Sequence, residues 1–234
     1  MIKQLKINKM KNVNNKTMRK LTFALLMLLT LSLNAQNYNT VKFLGIPVDG
    51  SKTEMISKLK QKGYTMCKDP QLAEYNMLEG EFNGRDVHIA IGTNNNRVYR
   101  VLVQDVKTMN EAEIKIRFNK LVNQFQNNKK YFSSTLDDQY LDDDFDISYE
   151  MSVNNKRIQA SFTQRLTEDE IKALLNAQPE IKNYDQDFQK IVFEQAALES
   201  NTVWFMICKL DYRDEYWIAL YYDNLNNAPN GDDL

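Results

Sequence analysis

The densest group of side chains that could do chemistry is the acidic segment LDDQYLDDDFD in the middle of the chain. It places six aspartates within ten positions: Asp137, Asp138, Asp142, Asp143, Asp144 and Asp146. Carboxylate oxygens are the ligands that Ca²⁺ prefers, and Asp142, Asp144 and Asp146 are the candidate ligands. The segment lacks the central glycine and the closing glutamate of an EF-hand loop. A solvated acidic loop is therefore the favoured alternative, and we predict no bound metal.

A catalytic centre is not predicted. The one histidine, His88, alternates with Val87 and Ile89, so it should project from the strand face opposite the apolar stripe. The sequence has no G-x-S-x-G motif, no glycine-rich phosphate loop and no second histidine for a histidine-based zinc site. A carboxylate pair for glycoside hydrolysis can always be chosen among 31 acidic residues, so a secreted glycan hydrolase stays only as an alternative. We predict no cofactor and no enzymatic activity.

Two cysteines, Cys67 and Cys208, are the remaining reactive groups. In an oxidising compartment they could form a disulfide. Two free thiols are the alternative, because sequence spacing does not show whether the two Cα atoms approach within bridging distance.

Aromatic residues concentrate near the end of the chain, as Trp204, Tyr212, Tyr216, Trp217, Tyr221 and Tyr222. At strand spacing such residues belong either to a core or to an exposed contact surface. If one sheet face is uncovered, we expect Trp204, Trp217, Tyr221 and Tyr222 to contact a partner.

The first 35 residues read as a secretory signal peptide. They combine seven basic residues and no acidic one with the uncharged stretch LTFALLMLLTLSL, and we place cleavage after Ala35. An N-terminal membrane anchor is the alternative, but thirteen residues are too few to span a bilayer. Residues 1–17 could be an upstream extension before Met18. We expect a periplasmic or secreted protein that does not insert into a membrane after cleavage.

The mature chain is acidic. The whole sequence has 30 Lys and Arg against 31 Asp and Glu, and removing the seven basic residues of the leader leaves 23 against 31, a net charge of −8. Nucleic acids and anionic lipid surfaces are bound mainly through clustered Lys and Arg. The charge therefore argues against both as partners.

Three capping boxes predict helix starts, at Ser51–Glu54, Thr108–Glu111 and Thr167–Glu170. Apolar residues at helical spacing follow each one, and Gly63 and Pro179 should end the first and third helices. A further strand is expected over 76–82, and residues 188–198 favour a helix.

Three hairpins are predicted between and after these helices. The first turns at Asn94–Asn96 and the second, ISYEMSVNNKRIQASFT, at Asn155–Lys156. The third turns near Arg213–Asp214 and is apolar on both faces, so it should form a central pair of strands that is covered on both faces.

Helix and hairpin thus recur at nearly constant spacing, which suggests three units over residues 36–107, 108–166 and 167–234. Coincidence within an α+β protein is the alternative. The fold class we expect is α+β, with helices packed on one side of a mostly antiparallel sheet.

The stretch FLGIPVDGSKTEMISKLKQKGY and the ending YYDNLNNAPNGDDL resemble those of exported proteins from Gram-negative gut anaerobes that have no assigned activity. The helix-plus-sheet pattern is also loosely similar to the β-lactamase-inhibitor-protein fold. It is similar, too, to small outer-membrane assembly lipoproteins, although the lipid-bearing cysteine of that group is absent here. The resemblance implies no functional residue.

Our functional expectation is a non-enzymatic exported binding module whose partner is another envelope protein or a glycan. The alternatives are the secreted glycan hydrolase with its carboxylate pair and a purely structural envelope component. An uncovered sheet face with clustered aromatics would favour the first, and a cleft with two facing carboxylates the second.

Overall fold

The computed structural model describes residues 39–69, 72, 74–135, 139–210 and 213–229. The predicted signal peptide, residues 1–35, lies outside these ranges, as do Asp137, Asp138 and Tyr212. Within the described ranges, no helix is both long and apolar enough to cross a bilayer.

Ten strands and five helices make up this part of the chain. The strands are β1 Lys42–Phe43, β2 Ile46–Pro47, β3 Thr65–Met66, β4 Leu78–Phe82, β5 Arg85–Asn94, β6 Arg97–Asp105, β7 Tyr131–Ser133, β8 Gln159–Gln164, β9 Asn201–Lys209 and β10 Tyr216–Asn224. The helices are α1 Lys52–Gln61, α2 Glu111–Asn127, α3 Ile147–Ser152, α4 Glu168–Ala177 and α5 Gln186–Leu198. Short 3₁₀ turns follow α4 and β10, at Pro179–Asn183 and Leu225–Asn227.

The fold is α+β, as the sequence predicts, and is built around one antiparallel sheet of eight strands. The strand order is β3-β4-β5-β6-β10-β9-β8-β7, and β1 and β2 form a separate small pair. The hairpin β9–β10 lies at the centre, because β10 pairs with β6 and β9 pairs with β8. The predicted central position of the third hairpin is confirmed, but the predicted cover on both faces is wrong, because Trp204, Trp217 and Tyr221 keep solvent access on one face. All three predicted units contribute strands to this one sheet.

Two of the predicted capping boxes are confirmed and the middle one is wrong. Ser51 with Glu54 and Thr167 with Glu170 cap α1 and α4 reciprocally. Helix α2 is instead capped by Asn110 together with Glu113. The helix starts later than predicted because Met109 forms an isolated β-bridge with Tyr216, with two backbone hydrogen bonds of 2.8 Å. This bridge keeps the backbone extended up to the cap.

Replacing Asn110 by alanine should therefore lower the free energy of unfolding by about 1 kcal/mol, because the amide of Glu113 loses its side-chain acceptor. Urea unfolding followed by circular dichroism measures this. The control Asn110→Asp should stay within about 0.5 kcal/mol of the wild type, since aspartate caps equally well. A smaller loss for Asn110→Ala than for Asn110→Asp would contradict the assignment of Asn110 as the cap.

The second predicted hairpin is wrong, because residues 147–152 form helix α3. Asp146 caps this helix by accepting a hydrogen bond of 2.7 Å from the amide of Tyr149. Ile147 is fully buried and Met151, four residues later, packs against the same core, which is helical spacing. Strand β8 pairs with β7 and β9 instead of with residues 147–153. The segment 108–166 therefore lacks the helix-then-hairpin form of a repeat unit.

The first hairpin is confirmed. Ile89 lies opposite Val103 and Ile91 opposite Val101, and the turn residues Asn95 and Asn96 adopt positive φ values of 47° and 62°. The expected strand over 76–82 is present as β4, and residues 188–198 lie within helix α5.

One face of the sheet, termed the covered face, carries the main core. Helices α1 and α2 pack on it through Met55, Leu59, Ile114, Phe118, Leu121, Val122 and Phe125. The ring of Phe125 stacks on Phe162 of β8 and Phe205 of β9, with centroids 4.9 and 5.8 Å apart. A second, smaller core joins α4 to α5 beside β8 and β9, through Leu174, Ile181, Phe188, Val192 and Ala196.

Candidate functional site: the open face of the sheet

The opposite face, termed the open face, keeps solvent access across the central strands. Strand alternation puts Val203, Phe205 and Ile207 of β9 into the core and leaves the residues between them half-buried. The half-buried open-face residues on β5, β6, β9 and β10 include His88, Arg100, Leu102, Gln104, Trp204, Met206, Cys208, Trp217 and Tyr221. The face therefore combines tryptophan, tyrosine, methionine and arginine at one surface.

A buried carboxylate on this face, that of Asp223, accepts hydrogen bonds from two neighbouring strands. Asp223 is only 4% exposed and accepts two hydrogen bonds from Arg100, from Nε at 2.6 Å and from Nη2 at 2.7 Å. It also accepts a bond of 2.8 Å from the indole Nε1 of Trp204. The hydrogen bond to Asp223 raises the pKa of Arg100 above its ordinary value, against the opposing effect of burial. Three strands are thereby joined through one fixed side chain.

Aromatic rings extend from this carboxylate across the face. Trp204 and Tyr221 are direct cross-strand partners, and their rings stack 4.0 Å apart with planes 7° from parallel. The Arg100 guanidinium lies 5.0 Å from the Tyr221 ring and 5.5 Å from the Tyr99 ring. Burial raises the pKa of the Tyr221 phenol, so this hydroxyl stays neutral at physiological pH. These side chains therefore form a connected group of ring, guanidinium and carboxylate contacts.

Three of the four predicted contact residues lie on this face and one does not. Trp204, Trp217 and Tyr221 alternate outward along β9 and β10. Tyr222 is wrong as a contact residue, because it lies on the covered face, 4% exposed, with its ring 5.0 Å from that of Phe43. Successive side chains along a strand point to opposite faces of the sheet, so the neighbours Tyr221 and Tyr222 lie on different faces.

Of the two alternatives for the cysteines, the structure has the free thiols: Cys67 and Cys208 do not form the possible disulfide. Cys67 directly follows β3 at the sheet edge, whereas Cys208 lies in β9, five strand positions away. At about 4.8 Å per strand the separation is far beyond the reach of a disulfide. Burial raises the pKa of the Cys208 thiol to about 11, so this group is neutral at pH 7 and a weak nucleophile.

The calcium candidates are not assembled into a site. Asp142, Asp144 and Asp146 are exposed, and the carboxylate of Asp146 serves as the cap of α3. Within the described ranges, the one group of three metal-ligating side chains that lie close together is Cys67, Glu79 and His88. The exposure of these three aspartates agrees with the solvated acidic loop that the sequence favours.

Sequence reasoning missed the cluster of Cys67, Glu79 and His88. His88 was correctly expected on the face opposite the apolar stripe, but its neighbours were not identified. The signal was present in the dipeptide Asn83-Gly84, which favours a two-residue hairpin turn. Both residues adopt positive φ, of 55° and 73°, and this turn places Glu79 directly opposite His88.

A separate cavity of about 320 Å³ lies between helix α5 and the end of the sheet. Phe132, Leu166, Ile171 and Phe193 supply apolar walls, and Arg165 closes one side through an ion pair of 2.6 Å with Glu194. The guanidinium of Arg165 also lies over the Phe132 ring at 4.8 Å. Of the two cationic side chains in the wall, Arg165 is therefore already paired, and Lys190 is the other.

The open face thus combines the group of Trp204, Tyr221, Arg100 and Asp223 with a cluster of potential metal ligands at its β3–β5 edge. Comparisons of the chain with protein-family models, with curated proteins and with solved structures gave no match.

Proposed function

We propose that this protein is a non-enzymatic binding module, exported to the periplasm or the cell exterior, that docks another protein on the open face of its sheet. The observation that carries the proposal is the cluster of Trp204, Tyr221, Arg100 and Met206 on a surface that retains solvent access. Tryptophan, tyrosine, arginine and methionine are the residues enriched in protein–protein interfaces, and the first three dominate binding hot spots. Export rests on the basic and apolar leader of residues 1–35.

The ring geometry favours a protein over a glycan as the partner. A sugar ring binds by stacking on a free aromatic face. Here Trp204 and Tyr221 each cover one face of the other's ring, and Arg100 lies over the Tyr221 ring, so these contacts leave less free ring face for a sugar. Such a surface presents the edges of the aromatic rings together with the side chains of the neighbouring methionine and leucine. Those groups suit an apolar protein surface.

The fixed charge arrangement supports the same conclusion. Arg100 is neutralised by Asp223, so its guanidinium is not free to bind a phosphate or sulfate group. A preformed centre also loses little side-chain entropy on binding, because the rotamers of Arg100 and Trp204 are already held by Asp223.

Replacing Trp217 by alanine should weaken partner binding by at least about tenfold, since a large apolar side chain is lost from the interface. Trp217 is the preferred position because it lies outside the Asp223 network, so the change leaves that network intact. The partner is isolated by affinity capture from envelope extract, purified, and titrated calorimetrically against the wild type and the variant.

The matched control is Tyr75→Ala, which removes an aromatic side chain that is 71% exposed and lies outside the eight-stranded sheet. This control should leave the affinity of the partner unchanged. A captured protein that binds Trp217→Ala and wild type equally would contradict docking on the open face. Binding to immobilised glycans that is lost in Trp217→Ala, with no protein captured, would favour the glycan alternative instead.

A further inference from the structure

We propose that Cys67, Glu79 and His88 form a binding site for a divalent transition metal ion, zinc being the ion that best fits this ligand set. The three residues offer one thiol sulfur, one carboxylate oxygen and one imidazole nitrogen, and these atoms all lie within 4.8 Å of one another. The proposed site does not depend on docking at the central strands.

The backbone places all three side chains on the open face. Glu79 of β4 and His88 of β5 are direct partners across the hairpin that turns at Asn83 and Gly84. Cys67 follows β3, and its amide donates to the carbonyl of Met77 at 3.0 Å, which extends the β3–β4 ladder. Strands β4 and β5 and the residue directly after β3 therefore each contribute one ligand.

The spacing suits a tetrahedral ion after small side-chain rotations. Zinc bonds of about 2.0–2.3 Å place tetrahedral ligand atoms roughly 3.3–3.8 Å apart. Cys67 is buried, whereas Glu79 and His88 are half-buried, and one Glu79 oxygen accepts a long hydrogen bond of 3.4 Å from the Lys68 amide, so small rotations of these two side chains can close the remaining gap. His88 makes no hydrogen bond to any other described residue, so its imidazole is available as a ligand.

The chemistry of the ligands selects the ion. A thiolate with an imidazole and a carboxylate is a set that zinc accepts, while calcium and magnesium prefer oxygen ligands alone. Glu79 and Asp69 both act electrostatically on the Cys67 thiol, so the local charge attracts a cation. On binding, the thiol releases its proton to solvent and the sulfur bonds the metal.

Three protein ligands leave one tetrahedral position free. Structural zinc sites usually have four protein ligands, whereas sites with three keep a position for water or an incoming ligand. Because Glu79 and His88 are the solvent-facing members, this position faces the solvent side of the sheet.

The test uses the purified protein, reduced and without a histidine tag, titrated with Co²⁺ as a spectroscopic probe and then with Zn²⁺. Wild type should bind one equivalent of Co²⁺ with a thiolate-to-cobalt absorption band that Zn²⁺ abolishes by displacement. Cys67→Ser should lose that band, and both Cys67→Ser and His88→Gln should weaken Zn²⁺ binding by at least about tenfold. Thermal melting without metal confirms that each variant folds.

The matched control is Cys208→Ser, which removes the other thiol and should leave both the cobalt band and the Zn²⁺ affinity unchanged. The proposal is overturned if the thiolate band persists in Cys67→Ser or disappears in Cys208→Ser. It is also overturned if wild type, Cys67→Ser and His88→Gln bind Zn²⁺ with the same affinity, because that result indicates an adventitious ion only.

Discussion

Replacing Arg117 by alanine should lower the free energy of unfolding by about 3–5 kcal/mol, the range for breaking a buried ion pair. Arg117 of α2 and Asp105 of β6 are 7% and 4% exposed, and two contacts of 3.3 Å join their side chains. Without Arg117 the carboxylate of Asp105 remains in the core with no cation to compensate it. Urea unfolding at pH 7, followed by far-ultraviolet circular dichroism, measures the loss.

Two further variants separate this effect from a simple loss of packing. The double replacement Arg117→Met with Asp105→Leu removes both charges and should restore most of the stability, because apolar residues of similar volume replace buried ion pairs at little cost. Arg213→Ala, which breaks an exposed pair of 3.6 Å with Glu215, should change stability by less than about 1 kcal/mol. A loss in the double variant equal to that of Arg117→Ala would show that the charge of Asp105 is not the cause.

Arg100→Ala should lower the free energy of unfolding by about 2–4 kcal/mol, somewhat less than Arg117→Ala because Arg100 is one third exposed. The variant leaves the buried carboxylate of Asp223 with the Trp204 indole as its remaining side-chain donor. Trp204 should also become more mobile, since the guanidinium beside the stacked rings is lost. Thermal melting measures the first effect, and the tryptophan fluorescence anisotropy measures the second.

The matched control lies three residues earlier on the same strand. Arg97 pairs with Asp49 at 2.9 Å, but its side chain is 51% exposed. Arg97→Ala should therefore cost less than about 1 kcal/mol and leave the tryptophan signal unchanged. Arg100→Lys should recover only part of the stability, because an ammonium group cannot make the paired bonds of a guanidinium. Equal losses for Arg97→Ala and Arg100→Ala would contradict a buried network at Asp223.

Alternating apolar residues predicted the sheet correctly where both partners of a hairpin lie close in sequence. The hairpins β5–β6 and β9–β10 are of this kind, and the asparagines Asn95 and Asn96 mark the turn of the first. The strand prediction for residues 147–153 was wrong because Ile147 and Met151 fit both strand alternation and helical spacing. The pairing of β8 with β9, which lie about 40 residues apart in the sequence, decided between strand and helix for this segment.

The candidate site was predictable only in part, for a related reason. Alternation along β9 and β10 identified Trp204, Trp217 and Tyr221 but left the choice of outward face open, so Tyr222 was misassigned. Arg100 and Asp223 were missed because they meet only through the pairing of β6 with β10, across more than 100 residues. No local spacing encodes such a contact.

Docking on the open face is tested most directly by placing a photoreactive residue there in the living cell. Benzoylphenylalanine at Met206, on the open face, should form a crosslink to a protein partner on irradiation. Benzoylphenylalanine at Ile116, an exposed position on helix α2, which packs on the covered face, should form no crosslink. Crosslinks from position 116 with none from position 206 would contradict the account.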